Sequence, residues 1–374
     1  MPFNGRIKSS NSRLLWFLLL FFVDQFPDML TQSQISEHLV EHGQPSYRAT
    51  QILDWIFKKR AKSWDKMTNL PESLRVDLAE QYPLRPLIHT LTKGSEDTTR
   101  KYLMELADGR YVETVLIPAS PALYGERSDR HTLCVSSQVG CAYGCKFCAS
   151  GLDGFTRNLS AAEIVSQIIL AEEMSGEKVN NLVFMGMGEP LANFKNLCLA
   201  IEMITSDWGL NIGARRITVS TSGLVPQIKK LAELSQQIRL AISLHGPDDE
   251  TRDKIMPVNR KFPVSELFEA LRFWNLKKNQ KITLEYILID GVNAGSEHAA
   301  LLAKRAASIN AKVNLIPYNT VEGLEWVRPS DTACRKFQNV LSEAGVSATL
   351  RLEKGHDIDA ACGQLRLKKE KGVF

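Results

Sequence analysis

Hydrophobic and polar positions along this chain alternate in a repeating strand–helix order from about residue 131 onward. Short apolar runs rich in β-branched residues are typical of buried strands. Seven such runs occur, at 132–137, 181–185, 216–220, 239–244, 282–289, 312–316 and 348–352. Strands separated by helices of this length predict a parallel sheet with helical crossovers. Six strand–helix units fit an incomplete (βα)6 barrel of the α/β class better than a closed eight-unit barrel.

The segments between these runs have helical periodicity. Ser160-Ala-Ala-Glu163 is a capping box, which predicts the start of a helix, and it is followed by apolar residues on one face: Ile164, Val165, Ile168 and Ile169. A later segment places Ala333, Phe337, Val340, Leu341 and Ala344 at helical spacing.

The first third of the chain has a different pattern. Residues 31–83 are helical in pattern, with breaks at 43–45 and 69–71, and residues 98–118 turn to strands with Asp108-Gly109 as a hairpin turn. We therefore expect five parts: 1–28 as an extension outside the fold, 29–95 as a small helical accessory domain, 96–130 as a β-hairpin and linker, 131–354 as the barrel, and 355–374 as a C-terminal segment.

The helical accessory domain interleaves aromatic and basic residues, including Trp55, Lys58, Lys59 and Arg60. Basic side chains neutralise phosphates and aromatic faces stack on unpaired bases, so the domain suits RNA. The same pattern is equally typical of a packed core beneath a solvated lysine face. This segment alone leaves both interpretations open.

Composition places the chain among globular proteins: 374 residues, 44% hydrophobic, 24% charged, net charge +4 and seven cysteines. So few cysteines exclude a disulfide scaffold and suit a reducing cytoplasm. Residues 14–23 are strongly apolar, but ten residues are too few to span a bilayer, and no membrane partner is expected. We expect translation to begin at Met29.

Three cysteines, Cys141, Cys145 and Cys148, form a C-x3-C-x2-C loop just after the first barrel strand. Three thiolates leave one iron of a [4Fe-4S] cluster without a protein ligand, whereas four would close it. An open iron is what a radical S-adenosylmethionine (SAM) enzyme needs to chelate and cleave its cofactor. The alternatives are structural cysteines or a zinc site, although zinc sites usually show paired C-x2-C knuckles.

Small and polar residues recur where the predicted strands end, which is where βα barrels carry their active sites. Gly186, Gly188 and Glu189 suit the amino acid end of SAM. Ser220, Ser243 and Asn319 suit its ribose and carboxylate. His245 is ambiguous, because a capping or core histidine is as common as a direct ligand.

The other four cysteines differ in setting. Cys198 and Cys334 lie in apolar helical patterns and are expected to be core residues. Cys134 lies on the first barrel strand. Cys362 lies in a C-terminal turn of small residues, where a thiol is a candidate nucleophile, and a second thiol near the active centre would resolve it as a disulfide.

Six motifs together resemble the dual-specificity radical SAM RNA adenine-C2 methyltransferases, over about residues 33–365. They begin at Cys134, Cys141, Gly186, Ser220, Ile242 and Asp357, and they read CVSSQVGC, CAYGCKFC, GMGEP, STSG, ISLH and DIDAACGQL. The apolar extension and the polar loop 119–130 depart from the family pattern without touching a motif. The resemblance implies methylation of C2 of an adenosine in 23S rRNA, at the peptidyl-transferase centre, and of the adenosine 3′ to the anticodon in tRNAs.

The resemblance also implies residue roles. SAM, two per turnover, would be bound by Gly188, Glu189, Ser220, Ser243, Leu244, His245 and Asn319. One SAM methylates Cys362, and the second yields a radical that activates this methyl group for addition to the base. Glu113 then takes the C2 proton, and Cys134 attacks Cys362 to release the RNA through a transient disulfide.

The family further implies a flavodoxin- or ferredoxin-type electron donor, a thiol reductant, a monomer and a cytoplasmic location. Within the class, the rival activity is C8 methylation of the same rRNA adenosine, of the antibiotic-resistance type. A radical SAM activase would leave Cys134 and Cys362 without a task. A non-catalytic iron–sulfur RNA-binding protein would have no use for residues 186–190.

Overall fold

The computed structural model describes residues 31–82, 84–95, 98–119, 130–151, 154–319, 324, 326–351, 364–370 and 372. Contacts divide them into two compact units: the residues up to Ile56 with Ala61–Leu84, and Phe57–Arg60 with the residues from Arg85 onward. The expected start at Met29, most of the polar loop and Cys362 lie outside the described residues. No helix among those residues is long and apolar enough to cross a membrane.

The first unit is helical, and its helices break where the sequence predicts. They are α1 (Gln32–Glu41), α2 (Arg48–Leu53), which continues into a π-helical turn over Asp54–Lys58, and α3 (Glu72–Gln81). Thr31 begins α1 with a capping box. The apolar faces of these helices form the core of the unit through Ile35, Leu39, Ile52, Leu74 and Leu78.

The second unit is built on a ten-stranded sheet and a separate two-stranded one. The strands of the large sheet are β1 (Leu87–Gly94), β2 (Arg100–Leu106), β3 (Tyr111–Pro118), β4 (His131–Cys134), β7 (Asn181–Phe184), β8 (Ile217–Thr221), β9 (Arg239–Ser243), β10 (Thr283–Leu288), β11 (Lys312–Pro317) and β12 (Ala348–Leu350). The small sheet pairs β5 (Gln138–Gly140) with β6 (Phe155–Asn158). Strands β1 to β4 are antiparallel, and β4 to β12 run parallel in chain order.

Helices connect the parallel strands, as the alternating pattern predicts. They are α4 (Ala161–Ser175), α5 (Phe194–Thr205), α6 (Val225–Ala232), α7 (Asp249–Ile255), α8 (Val264–Lys277), α9 (Ser296–Ser308) and α10 (Asp331–Glu343), and α11 (Gln364–Glu370) follows the sheet. The capping box at Ser160 is present, and Ile164 and Ile168 are fully buried behind it. The incomplete barrel is therefore confirmed.

The sequence pattern does not predict strand β1 or the β5–β6 hairpin. Strand β1 begins eleven residues before the predicted strand region, and it is an edge strand with Ile88 exposed and polar residues between its apolar ones. The β5–β6 hairpin encloses the cysteine loop with strands of only three and four residues. The cysteine expectations are half right: Cys334 is buried, whereas Cys198 is only half-buried on α5.

Candidate active site

A cavity of about 280 Å³ lies at the carboxyl ends of the barrel strands. Nine of the residues expected from the sequence to bind the cluster or SAM line it: Cys141, Cys145, Cys148, Gly186, Gly188, Glu189, Ser220, Ser243 and His245. Leu244 and Asn319 do not. Leu244 is fully buried, and Asn319 is exposed just after β11.

The cysteine loop is shaped by close backbone packing at the β5–β6 hairpin. The Cys141 N–H donates to the Gly154 carbonyl at 2.9 Å, and the Cys148 N–H donates to the Cys145 carbonyl at 3.0 Å. Gly140 has φ +73°, and a Cβ there would lie 2.0 Å from the Gly154 oxygen. Glycine is therefore required for the loop to fold back and turn its three cysteines toward one cavity.

The protein surroundings disfavour the charged thiolate form of these cysteines. Burial raises the pKa of Cys141 to about 11, and the neighbouring Cys148 and Glu189 add to the shift. Burial and the charges of Cys148 and Cys141 also raise the pKa of Cys145. Iron cations relieve this repulsion, since thiolates are the ligands of iron–sulfur clusters. Among the described residues no fourth cysteine lines the cavity, so the donor set fits a [4Fe-4S] cluster with one iron open.

The Gly186–Glu189 turn is held by the segment that follows β4. A Cβ on Gly186 would lie 2.7 Å from the Val135 carbonyl, and one on Gly188, at φ +95°, would lie 2.4 Å from Gln138 Cβ. Gln138 Oε1 accepts from the Glu189 N–H at 2.8 Å. The glycines are thus required by packing as well as by access to a ligand.

Glu189 is buried with its orientation fixed. Its Oε1 accepts from the Leu191 N–H at 3.0 Å and its Oε2 from the Ser222 N–H at 2.7 Å. Burial raises the pKa of Glu189, and these hydrogen bonds oppose the shift. The side chains of Ser222 and Thr221 also act against the shift. Glu189 lines the cavity, so its carboxyl group is placed to accept from an ammonium there.

His245 is a neutral hydrogen-bond donor. Its φ is +56°, and its Nδ1 accepts from the Ile287 N–H at 3.0 Å, which leaves the proton on Nε2. Burial, together with the charge of Arg252, lowers its pKa to about 3. The ring meets Phe147 of the cysteine loop edge-on, with 4.7 Å between centroids. His245 therefore lines the cavity and also makes a structural hydrogen bond to β10, and its role as a direct ligand stays a prediction.

Arg252, which no sequence motif indicates, supports the backbone of two strand ends at the site. Its guanidinium is fully buried and donates to the carbonyls of Ser222 at 2.8 Å and Leu244 at 2.7 Å. Burial lowers its pKa to about 10. Arg252 lies on α7, and nothing in the surrounding charged sequence distinguishes it from a surface arginine.

Of the residues with predicted catalytic roles, Glu113 and Cys134 are described by the structure, and neither lines the cavity. Glu113 is buried on β3, where Lys101 Nζ lies 2.7 Å from its Oε2 and the Arg366 N–H donates to its Oε1 at 2.6 Å. Arg366 is four residues after Cys362, so Glu113 contacts the segment that carries the predicted methylated cysteine.

Cys134 is buried on β4 and faces the barrel interior. It pairs with Val183 on β7, which pairs with Thr218 on β8. Ser220 is two residues further on β8 and pairs with Ala241, two residues before Ser243. Because paired residues and i, i+2 residues share a face, Cys134 lies on the face that carries Ser220 and Ser243. Cys362 lies outside the described residues.

An incomplete barrel with a three-cysteine loop after its first strand defines a radical SAM enzyme. Two family models agree: Radical SAM superfamily matches residues 135–303, and Ribosomal RNA large subunit methyltransferase N-terminal domain matches residues 28–83. A crystal structure of a radical SAM methyltransferase from Sphaerobacter thermophilus has a TM-score of 0.84 and 43% identity, covering 90% of this chain and 97% of that one.

Curated relatives narrow the class to one family. The probable dual-specificity RNA methyltransferase RlmN of Akkermansia muciniphila is 56% identical, over 91% of this chain and 95% of its own length. The dual-specificity RNA methyltransferase RlmN of Desulfosudis oleivorans is 45% identical, over 90% and 89%. The chain belongs to the RlmN family of dual-specificity RNA methyltransferases, which confirms the resemblance drawn from the sequence motifs.

Proposed function

We propose that this chain methylates C2 of an adenosine in 23S rRNA and of the adenosine 3′ to the anticodon in tRNAs, through S-methylated Cys362. The observation that carries the proposal is the convergence of Cys141, Cys145 and Cys148 with Glu189 on one cavity of a barrel. Membership of the RlmN family favours C2 over C8 methylation. Neither an activase nor a binding protein is favoured.

The chain's own residues hold the cofactors. The three cysteines would hold the cluster, and Glu189, in the turn that contains Gly188, would accept from the ammonium of SAM. Ser220, Ser243 and the neutral His245 offer hydrogen bonds along the opposite strands. The family resemblance adds Leu244 and Asn319, although neither side chain lines the cavity. When bound, the cluster and SAM together supply the electron and the radical that activate a methyl group.

The remaining steps belong to two thiols and a carboxylate. The Cys362 thiolate accepts a methyl group, because C2 of adenine is not nucleophilic and cannot take it from SAM directly. After addition to the base, Glu113 accepts the C2 proton, and its contact with Arg366, four residues after Cys362 in the sequence, supports this role. Cys134, on the barrel-interior face, attacks Cys362 to release the RNA, and a thiol reductant regenerates both.

The parts of the chain then divide the work. Residues 29–95 bind RNA as an accessory domain, 96–130 carry Glu113, 131–354 form the catalytic barrel, and 355–374 present Cys362. An electron donor of the flavodoxin or ferredoxin type serves the cluster. We place the enzyme in the cytoplasm, since its chemistry needs reduced thiols. The family resemblance implies that it is a monomer.

The test is an anaerobic reaction of the reconstituted protein with SAM, a reductant and either an rRNA fragment or tRNA. We expect 2-methyladenosine in the digested RNA, and 8-methyladenosine alone would overturn the regiochemistry. Replacing Cys141, Cys145 or Cys148 with Ala should remove both cluster and product. Full iron and sulfide content in any of these three variants would contradict the cluster assignment.

A further inference from the structure

One carboxyl group in the barrel has no place in the site described so far. Glu285 lies on β10 and lines the cavity. It pairs directly with Ser243 on β9 and with Asn314 on β11. Directly paired residues of parallel strands point to the same face, so Ser243, Glu285 and Asn314 form a polar row on the interior face at the level of the cavity.

Only one of the two carboxyl oxygens of Glu285 accepts a hydrogen bond within the described part of the chain. Its Oε1 accepts from Asn314 Nδ2 at 3.0 Å. Its Oε2 is shielded from solvent and has no hydrogen-bond partner within the described part of the chain. Burial raises the pKa of Glu285, and the charges of Arg351 and Lys312 with the Asn314 hydrogen bond act against the shift. A buried carboxyl oxygen without a donor is unfavourable, and the cavity that Glu285 lines is the space in which a ligand would supply one.

The missing partner is a hydrogen-bond donor carried by a ligand. Carboxylates are the usual acceptors for ribose hydroxyls in nucleotide sites, and Ser243, paired with Glu285, is one of the residues that suit the ribose and carboxylate of SAM. We propose that Glu285 is a further SAM ligand, whose free carboxyl oxygen accepts a hydrogen bond from a ribose hydroxyl. The inference rests on the proposed SAM site but not on the position of methylation.

The experiment compares three ligands on the cluster-loaded protein under anaerobic conditions: SAM and its 2′-deoxy and 3′-deoxy analogues, measured by isothermal titration calorimetry. Glu285→Ala and Glu285→Met both remove the acceptor, and Met keeps the side-chain volume. Thr283→Val is the matched control, because Thr283 lies two residues earlier on the same face of β10, buried, outside the cavity lining.

Both Glu285 variants should bind SAM about ten- to a hundredfold more weakly, as expected for loss of one charge-assisted hydrogen bond. For one deoxy analogue, wild type and variants should bind with equal affinity, because the hydroxyl that Glu285 recognises is absent. Thr283→Val should match wild type throughout. This non-additivity separates a direct contact from a general disturbance of the barrel.

Three results would overturn the assignment. Unchanged SAM affinity in both variants would show that Glu285 contacts something else, such as the amino group of the target adenine. An equal loss for SAM and both analogues would make it a packing residue, as would loss of iron in both variants. Failure of the wild type itself to bind SAM would instead overturn the proposed function.

Discussion

At the scale of single residues, the site depends on positions where only one side chain fits. Gly188 combines φ +95° with a Cβ position 2.4 Å from Gln138 Cβ. Gln138 in turn accepts from the N–H of Glu189, so a side chain at 188 would displace the carboxylate proposed to hold SAM. Both strain and overpacking act here, and each is destabilising.

We therefore expect Gly188→Ala to lower the free energy of unfolding by about 1–3 kcal/mol and to abolish measurable SAM binding. Gly213→Ala is the control, since a Cβ there meets nothing within 4 Å. It should stay within about 0.5 kcal/mol of wild type. Denaturant unfolding and calorimetry measure the two effects, and a Gly188→Ala protein that binds SAM normally would contradict this account of the turn.

The buried, neutral His245 should make the folded protein less stable as the pH falls. Its pKa is about 3 in the folded protein and about 6.5 when unfolded, so the unfolded state binds more protons between these values. Stability is therefore lost as pH falls below about 6.5, by up to ~1.4 kcal/mol per pH unit. His245→Gln removes this contribution, and between pH 7 and pH 5 cluster-free wild type should lose ~2 kcal/mol more than the variant. Parallel stability curves would show that His245 is not buried in the neutral form.

At the scale of elements, Arg252 ties the ends of two strands to one helix. It donates to the carbonyl of Ser222 after β8 and to those of Ser243 and Leu244 at the end of β9. Arg252→Met would remove this donor from all three carbonyls, of which Leu244 keeps the Gly246 N–H at 2.7 Å, and each buried acceptor left unsatisfied costs about 1–3 kcal/mol. We expect a loss of at least ~3 kcal/mol in urea unfolding and a weaker affinity for SAM.

Lys254→Met on the same helix is the matched control. Lys254 is exposed and pairs only with the exposed Glu250 among the described residues, an interaction that contributes little. If the two variants were equally stable, Arg252 would not be what holds β8 and β9 at the site.

The burial of an element decides whether the sequence pattern predicts it. Most of the parallel strands are largely buried on both faces and read as apolar runs, whereas β12 is partly exposed. All seven are found within a few residues of the predicted positions. Strand β1 is an edge strand with an exposed face, and β5 and β6 are too short for any pattern. The cysteine loop and the Gly186–Glu189 turn are visible as local motifs, whereas Gln138, Arg252 and Glu285 act through partners 8 to 51 residues away.

At the scale of the whole molecule, the enzyme must hold a large RNA while it reacts at one carbon. Lys58 and Lys59 are exposed beside the aromatic residues of the segment proposed to bind RNA. Arg60 belongs to the structure instead, because it pairs with Glu172 at 2.6 Å. A test of RNA binding should therefore change the two lysines and spare the arginine.

We expect Lys58→Glu with Lys59→Glu to weaken tRNA binding about tenfold or more at low salt and to flatten its salt dependence, since two phosphate contacts are lost. Lys229→Glu with Lys230→Glu makes the same charge change on two adjacent exposed lysines of α6. Filter binding at several salt concentrations compares the pairs. If both pairs weakened binding equally, Lys58 and Lys59 would act only through the net charge of the protein and would not form an RNA-binding surface.

The reaction sequence as a whole is tested by removing the thiol that ends it. Cys134 lies on the barrel-interior face but outside the cavity lining, so Cys134→Ala should leave SAM binding, methylation of Cys362 and addition to the base intact. Release should fail, because no thiol attacks Cys362. The purified variant should carry RNA joined through Cys362, seen as a nuclease-sensitive shift on a denaturing gel.

The double variant Cys134→Ala, Cys362→Ala should lack this adduct, since the bridging sulfur is gone. Cys334→Ala is the matched single control: Cys334 is buried on α10, and its loss should cost about 1 kcal/mol of stability without trapping RNA. A Cys134→Ala enzyme that turns over normally, or is inactive and free of RNA, would make Cys134 a packing residue. The release step would then need another nucleophile, and the pairing of Cys134 with Cys362 would have no function in this fold.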